Sequence, residues 1–454
     1  MNKVYHFHSS PQTDKLYNFY LYGVWLYVIL LIFEGALRKW LLPSLSTPLL
    51  FIREPLVIWL VCISITKGWL DYAWVKIMMF TATISLFMSL LFGHHNIFVG
   101  IYGWRIYFFH FPMMFIIGRL LCRDDLLRLC RFFILLSIPM TVLIYIQFYS
   151  PPTAFVNIGV GGEGTAGFGG IKGFMRPPGT FSFTSGYVCF QSIVGCSLLY
   201  YIAVNSYLSI SRRLPNWILV IALICYLVAI PTSISRTNFF QSIIFVSFYV
   251  LAIVFSPHYR MKIGYSITII ITLIILLGIS GLIETNIEVF TKRFTGATKV
   301  EGGVEGTLIN RYLGGLLYTF IHTDIPIFGY GIGIGTNVGA YLMGGNMYSF
   351  GFNGEVEWQR IVGECGFILG TVIIMLRLLF SLKLLQKSWQ CLRNNADLLP
   401  WMLASGMILC VPQGQWAIAT NLGFAILSGG MTLAAIRTSS IKNYKLVTDV
   451  KGFA

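Results

Sequence analysis

The residues best suited to bind a ligand are cations that lie apart from the main basic clusters of this chain. They are Arg38 and Lys39 in EGALRKWLLP, Arg53, Arg105, Arg176 in RPPGTFSF, Arg236 in SISRTN, and Arg311. Guanidinium groups match phosphate oxygens in bidentate geometry, so arginines from separate segments indicate an anionic, phosphorylated ligand. Taken singly, each cation could instead extend to a water interface or pair with a near carboxylate such as Glu34 or Glu54.

Two further segments carry side chains that could handle a sugar or a proton. Trp358 in EVEWQR could stack on a sugar, or pack against a membrane surface. His322 and Asp324 in FIHTDIP could move a proton, although a hydrogen bond that stabilises a loop is the commoner role of such a pair. The sequence GYGIGIG at 329–335 resembles nucleotide-binding loops but follows no βαβ pattern. We therefore interpret it as a tight turn near a ligand.

Neither a metal site nor a disulfide framework is indicated. His94 and His95 are adjacent, and adjacent residues do not share a helix face, so they are poorly placed to bind one metal ion. The nine cysteines form no CxxC pair and lie in or beside apolar stretches. We expect these cysteines to be packing residues.

The composition is that of a membrane protein. Of the 454 residues, 56% are hydrophobic and 11% are charged, whereas about a quarter of the residues in a soluble domain are charged. The net charge of +15 comes from 32 Lys and Arg against 17 Asp and Glu. Most of these basic residues lie in short loops between apolar stretches, where they orient a membrane protein, so no nucleic-acid partner is expected.

The apolar stretches predict an all-α, polytopic fold with about twelve transmembrane helices in a single membrane domain, 1–454. The predicted spans are 17–34, 49–66, 75–92, 104–121, 132–149, 186–204, 217–232, 237–255, 264–283, 361–381, 400–417 and 419–436. The loops on the side of the N-terminus carry Arg123, Arg128, Arg131, Arg212, Arg213, Arg260, Lys262, Lys383, Lys387 and Arg393. This bias predicts that both termini are cytoplasmic.

Two long segments are then expected on the outer side. The loop 150–185 contains GVGGEGTAGFGGIKG, whose glycines predict a mobile segment that is either a lid or a plain connector. The loop 284–360, between the ninth and tenth spans, carries 7 of the 17 acidic residues and is too long for a simple turn. Chemistry is therefore expected on this side.

Several of these motifs together resemble the O-antigen ligase and O-antigen polymerase superfamily. The similarity rests on the number of spans, the long loop before the tenth span, and Arg236 in an SR motif. It also rests on RPPGTFSFTSG and on NRYLGGLLYTFIHTDIPIFGYGIGIG, which leads to EVEWQRIVGECGFILG. The topology match covers most of the chain, and the motif match covers about a quarter.

The resemblance implies glycosyl transfer from an undecaprenyl-diphosphate-linked oligosaccharide to a sugar hydroxyl at the outer face of the bacterial inner membrane. No cofactor and no divalent metal are required. Arg236 and Arg311 match the arginines that hold the diphosphate, and Arg176 is a further candidate. Glu355 stands where the family has its histidine base. This difference favours a polymerase over a ligase.

The resemblance leaves the base and the class of protein open. Glu357 is a rival for the base, and Glu355 could instead only position the acceptor or pair with Arg360. The alternative function is a transporter or flippase of an anionic lipid-linked glycan. A transporter is expected to bind near the middle of the membrane, whereas the polar residues of this chain gather toward one face.

Overall fold

The expected all-α architecture is confirmed by a computed structural model that describes residues 11–165, 168–169, 173–255, 260–300, 325–345 and 356–449. The described strands form one two-stranded antiparallel ribbon, β1 Phe168–Gly169 and β2 Met175–Arg176. Arg311, His322 and Glu355 lie outside the described residues. The roles expected for these three residues stay predictions.

Sixteen α-helices account for most of the described chain. The first eight are α1 Pro11–Ala36, α2 Ser46–Leu49, α3 Glu54–Thr66, α4 Ala73–Leu91, α5 Ile97–Arg105, α6 Phe111–Leu120, α7 Arg123–Tyr149 and α8 Thr184–Val204. The others are α9 Asn216–Thr232, α10 Arg236–Phe255, α11 Arg260–Ile279, α12 Glu284–Val300, α13 Asn337–Leu342, α14 Glu357–Asn395, α15 Leu398–Gln413 and α16 Ala419–Asp449. Short π-helices follow α1, at Leu37–Leu41, and α5, at Ile106–His110.

Multiple passes through a membrane agree with the length and composition of these helices. Among the described residues, nine helices are long and apolar enough to cross a membrane, or up to ten if the bent pair formed by α11 and α12 counts as one span. The expected number of twelve stays a prediction. Helices α11 and α12 are bent by 100° at their junction, so the segment after the ninth predicted span begins as a helix.

Helix α8 is buried on nearly all sides, although it carries polar residues such as Gln191 and Ser192. Helix α4 instead exposes Phe80 and Phe87, which are 68% and 58% accessible. Large apolar side chains of this kind are poorly solvated by water but well solvated by hydrocarbon. The exposed faces of the bundle therefore suit lipid.

Chain reversals gather the helix termini at two ends of the bundle. One end holds the N-termini of α7 and α9 and the junction of α14 with α15. There Arg123 pairs with Asp397 at 2.7 Å and Arg212 with Asp124 at 2.6 Å. We call this the basic end. The opposite end holds the N-termini of α8, α10, α14 and α16 and the C-terminus of α15.

The described part of the loop 150–185 is tied to the bundle at Gly179. Lys39, which is 1% exposed, donates from Nζ to the Gly179 carbonyl at 2.7 Å. Gln147 accepts a hydrogen bond from the Gly179 amide at 2.8 Å, and Thr180 donates to the Ile32 carbonyl at 2.8 Å. These bonds hold the middle of the RPPGTFSF segment against α1, the π-helix that follows it, and α7.

Candidate functional site

A cavity of about 320 Å³ lies at the opposite end of the bundle, among the termini of α8, α10, α14, α15 and α16. Four residues singled out from the sequence line it, namely Arg176, Arg236, Glu357 and Trp358. They belong to three separate elements of the chain. The structure therefore brings together residues that the sequence placed far apart.

Arg236 reaches the cavity through a tight turn between α9 and α10. The Ile234 amide donates to the Pro231 carbonyl at 3.0 Å, and Ile234 has a φ of 46°. A β-branched residue rarely adopts this left-handed conformation, which costs about 1–2 kcal/mol. Ile234 is fully buried and lines the cavity beside Ser235 and Arg236. The surrounding packing must therefore hold this strained turn, which starts α10 at Arg236.

Two other arginines line the same cavity, each from a different element. Arg176 lies in β2, where its backbone pairs with Phe168. Arg293 lies in α12. We call Arg176, Arg236 and Arg293 the cavity arginines. Each comes from a different element, so their convergence depends on the tertiary fold.

Arg293 was not singled out from the sequence. Aromatic contacts place α12 against the start of α10, since the Phe239 ring lies 5.9 Å from Phe290 and 6.1 Å from Phe294. Phenylalanines at positions i and i+4 share one helix face. This spacing in ETNIEVFTKRF is the feature of the sequence from which the helix could have been predicted. It indicates a helix in this segment, but it does not say which arginine faces a ligand.

Glu357 lies at the cavity edge because α14 folds back on itself. Gly366 interrupts the helix with a φ of 75° and a ψ of 174°. Arg377 then donates to Glu357 Oε1 at 2.5 Å, although the two residues are 20 positions apart. In a straight helix, that separation would be about 30 Å. The predicted span 361–381 is thus part of a longer, broken helix.

The carboxylate of Glu357 is shared by two buried arginines. Arg360 donates to both of its oxygens at 3.0 Å, and also to Glu364 at 2.6 Å. We call Glu357, Arg360, Glu364 and Arg377 the buried ion network. Two carboxylates and two guanidinium groups balance in charge, so the network compensates its own desolvation cost in part.

Backbone carbonyls and aromatic rings complete this network. Arg377 donates to the Val411 and Gly414 carbonyls at 2.9 and 2.8 Å, and its guanidinium lies 3.8 Å from the Trp416 ring centre. Arg360 also donates to the Tyr107 hydroxyl at 3.2 Å. The network therefore fixes the end of α15 relative to the start of α14, and both line the cavity.

The tight turn predicted at GYGIGIG is confirmed, and it packs on the break in α14. The Tyr330 and Gly331 amides donate to the Gly363 and Glu364 carbonyls at 2.8 and 3.0 Å. Gly331 has a φ of 115°, and a Cβ atom there would lie 2.4 Å from the His94 ring. Only glycine fits this position, because both the conformation and the space exclude a side chain.

Three of the other cations singled out from the sequence pair with carboxylates inside the protein. Arg38 and Arg53 lie 3.4 and 3.1 Å from the carboxylate of Glu34, and Arg105 pairs with Glu54. We call Arg38, Arg53 and Arg105 the paired cations. None of them is among the residues that line the cavity. Of the two roles that the sequence left open, pairing with a near carboxylate is the one observed.

Metal binding finds no support in the described ranges, where no group of three or more His, Cys, Asp or Glu could hold an ion. The site is therefore described by its cavity arginines, its buried ion network and a wall of amide and hydroxyl side chains such as Gln241 and Ser185. No family model, curated protein or solved structure matches this chain.

Proposed function

We propose that this chain transfers a glycan from undecaprenyl diphosphate to a sugar hydroxyl, as a surface polysaccharide polymerase or ligase. The observation that carries the proposal is the convergence of the cavity arginines from three elements on one cavity. Arginine is the side chain that best matches the oxygens of a diphosphate, and a set of them favours an anion with more than one phosphoryl group.

The chemistry is a displacement at the anomeric carbon of the donor. An acceptor hydroxyl oxygen forms a bond to that carbon, and the bond between the carbon and the diphosphate oxygen breaks. Its electron pair stays on the diphosphate, which leaves with one more negative charge. Arginines already placed around that oxygen stabilise the developing charge without reorganising, which lowers the barrier.

The hydroxyl proton needs an acceptor, and the two glutamates proposed for this role differ. Both oxygens of Glu357 accept hydrogen bonds from arginines, and a carboxylate held in that way is a weak proton acceptor. This arrangement favours a positioning role for Glu357. Glu355, which precedes α14, therefore remains our candidate for the base.

The orientation of the protein follows from its charges. Short loops rich in Lys and Arg remain on the cytoplasmic side, so the basic end and both termini are assigned to the cytoplasm of a bacterium. The cavity then opens toward the outer side of the inner membrane. Its position at one end of the bundle favours an enzyme over a transporter, whose site would lie near the membrane midplane.

Transfer is tested with the purified protein in lipid nanodiscs, supplied with lipid-linked oligosaccharide extracted from the source organism. We expect release of undecaprenyl diphosphate together with a lengthened or transferred glycan. Arg293→Ala should lower the rate roughly 10- to 100-fold, because a charge-assisted contact contributes about 1.5–3 kcal/mol. Both products are measured by mass spectrometry.

Arg393→Ala is the matched control, since Arg393 is exposed and lies near the C-terminus of α14 at the basic end. It should transfer glycan at the normal rate. Normal transfer by Arg293→Ala would remove Arg293 from the diphosphate site. Movement of intact lipid-linked glycan across the bilayer without release of diphosphate would instead establish the transporter.

A further inference from the structure

Two buried polar atoms of uncharged side chains in the wall of the cavity lack a hydrogen-bond partner among the described residues. They are Oε1 of Gln241 in α10 and Oγ of Ser185 in α8. Gln241 is only 3% exposed. Most buried polar groups in proteins are satisfied, so an unpartnered one in a cavity wall points to a ligand group that would complete its bonding.

The chemistry of the two atoms selects the kind of ligand. The Gln241 oxygen needs a donor, and the Ser185 hydroxyl can both donate and accept. A hydroxyl group satisfies both requirements, and it also serves the Gln241 amide if the amide is turned over. With the amide as observed, a carboxylate or an ionised phosphate could not donate to the Gln241 oxygen, whereas a hydroxyl group suits either orientation of the amide. The pair therefore fits a neutral, hydroxyl-bearing group.

The position of the pair identifies which hydroxyl-bearing group this is. Gln241 lies five positions after Arg236 in α10, which is about 7.5 Å along the helix axis. That spacing suits a sugar ring joined to an anion held by the cavity arginines. Trp358 and Val188 line the same cavity and offer apolar surface for the C–H face of a sugar.

The ring of Trp358 is held in place within this wall. Its Nε1 donates to the Pro412 carbonyl at 3.1 Å, and the side chain is buried with the start of α14. A fixed aromatic surface loses little conformational freedom when a ligand binds to it. The wall thus combines hydrogen-bonding atoms with a fixed apolar surface, which is the combination that pyranose rings require.

We propose that Gln241 and Ser185 form the subsite for the sugar joined directly to the diphosphate and determine the specificity of transfer for that sugar. This inference rests on the proposed function, because the cavity arginines must hold the diphosphate beside it. It assigns a role to Gln241, which lies outside the sequence motifs, and to Ser185, which lies within RPPGTFSFTSG but was not singled out there.

The test compares two probes that differ only in the sugar, undecaprenyl diphosphate and undecaprenyl diphosphate carrying one hexose. Binding to the full-length protein in nanodiscs is followed by tryptophan fluorescence. Gln241→Met keeps the volume but removes the acceptor, and we expect roughly tenfold weaker binding of the sugar-bearing probe. Binding of plain undecaprenyl diphosphate should not change. Ser185→Ala should show the same selectivity with a smaller factor.

Gln191→Met is the matched control, because Gln191 is a fully buried glutamine of α8 that does not line the cavity. Selective loss in Gln241→Met and Ser185→Ala, but not in Gln191→Met, supports the subsite. An equal loss in Gln191→Met, or equal weakening of both probes by Gln241→Met, assigns a structural role and overturns it.

The arginine variant separates failure of the subsite from failure of the proposed function. Arg236→Ala should weaken both probes, since both carry the diphosphate. If it does so while Gln241→Met and Ser185→Ala change neither probe, the subsite is wrong and the proposed function stands. If the unchanged protein binds neither probe, the proposed function fails, and the subsite fails with it.

Discussion

The paired cations and the cavity arginines are all arginines, and the topology predicted from the sequence places them on the same side of the membrane. Their surroundings in the structure differ. The paired cations lie against Glu34 and Glu54, carboxylates that are close to them in the sequence or on a neighbouring helix. The cavity arginines line a volume whose wall also holds Glu357 and amide and hydroxyl side chains such as Gln241 and Ser185. The position of a cation relative to a membrane is therefore insufficient to assign a ligand. The presence of a cavity separates the two groups.

The buried ion network is a third group of charged residues, which differs from both the paired cations and the cavity arginines. Breaking it should have the largest effect on the stability of the protein. Arg377→Met leaves Glu357 with one fewer cation in a fully buried site. An uncompensated buried charge destabilises a protein by about 3–5 kcal/mol, so the unfolding temperature should fall strongly. Thermal unfolding of the purified protein in detergent, followed by circular dichroism, measures this loss.

A charge-balancing second change tests the reason for this loss. The double variant Glu357→Gln with Arg377→Met removes one charge of each sign, so it should be more stable than Arg377→Met alone. If the double variant is less stable than either single variant, lost packing rather than charge imbalance is the cause. Arg393→Met, at an exposed position, should leave the unfolding temperature unchanged.

A pair of variants separates the paired cations from the cavity arginines directly. Arg105→Met breaks the pair with Glu54, which also accepts a hydrogen bond from His110 at 3.0 Å, and should cost about 1–3 kcal/mol of stability. It should leave the affinity for undecaprenyl diphosphate unchanged. Arg236→Ala should leave the stability unchanged and weaken the affinity for undecaprenyl diphosphate roughly 10- to 100-fold.

Both properties are measured on each variant, by unfolding temperature and by binding of undecaprenyl diphosphate. The comparison would be wrong if Arg105→Met weakened binding as much as Arg236→Ala at equal stability. Arg236→Lys should recover only part of the affinity, because it restores the charge but not the planar fork. Full recovery by lysine would show that charge alone is recognised.

The sequence predicted the helical membrane fold and two of the three cavity arginines, because hydropathy and arginine placement are local properties. For Arg38 it left pairing with a carboxylate such as Glu34 open as the alternative to ligand binding, and the structure shows that pair, at positions i and i+4. It did not predict that α14 folds back at Gly366. That turn depends on the contact with Gly329, whose added Cβ atom would lie 2.4 Å from the Gly366 amide nitrogen. Contacts between distant segments leave no periodic signal.

The smallest expected effect concerns His94, which joins the loop after α4 to the GYGIGIG turn. Its Nδ1 accepts a hydrogen bond from the Asn96 amide at 3.0 Å, and its Nε2 lies 3.1 Å from the Ile332 carbonyl. A nitrogen that accepts cannot carry a proton, so this pattern requires the neutral ring with the proton on Nε2. Burial also lowers the pKa of His94 below its usual value of 6.5, although the bond to Ile332 opposes the shift.

The lowered pKa of His94 gives its contribution to stability a definite sign. The unfolded chain binds this proton more readily, so stability rises with pH through this range. The contribution is fully present above pH 6.5, the unfolded value, and is lost as the pH falls through the lower folded pKa of His94. Unfolding temperatures measured from pH 7.5 down to about pH 5 should therefore decline less steeply in His94→Gln than in the unchanged protein. His95→Gln, whose ring is hydrogen-bonded to the Leu90 carbonyl at the end of α4, is the matched control and should keep the full decline. If His94→Gln and the unchanged protein decline in parallel, the pH dependence belongs to other groups, and the His94 ring only fills space beneath the glycine turn.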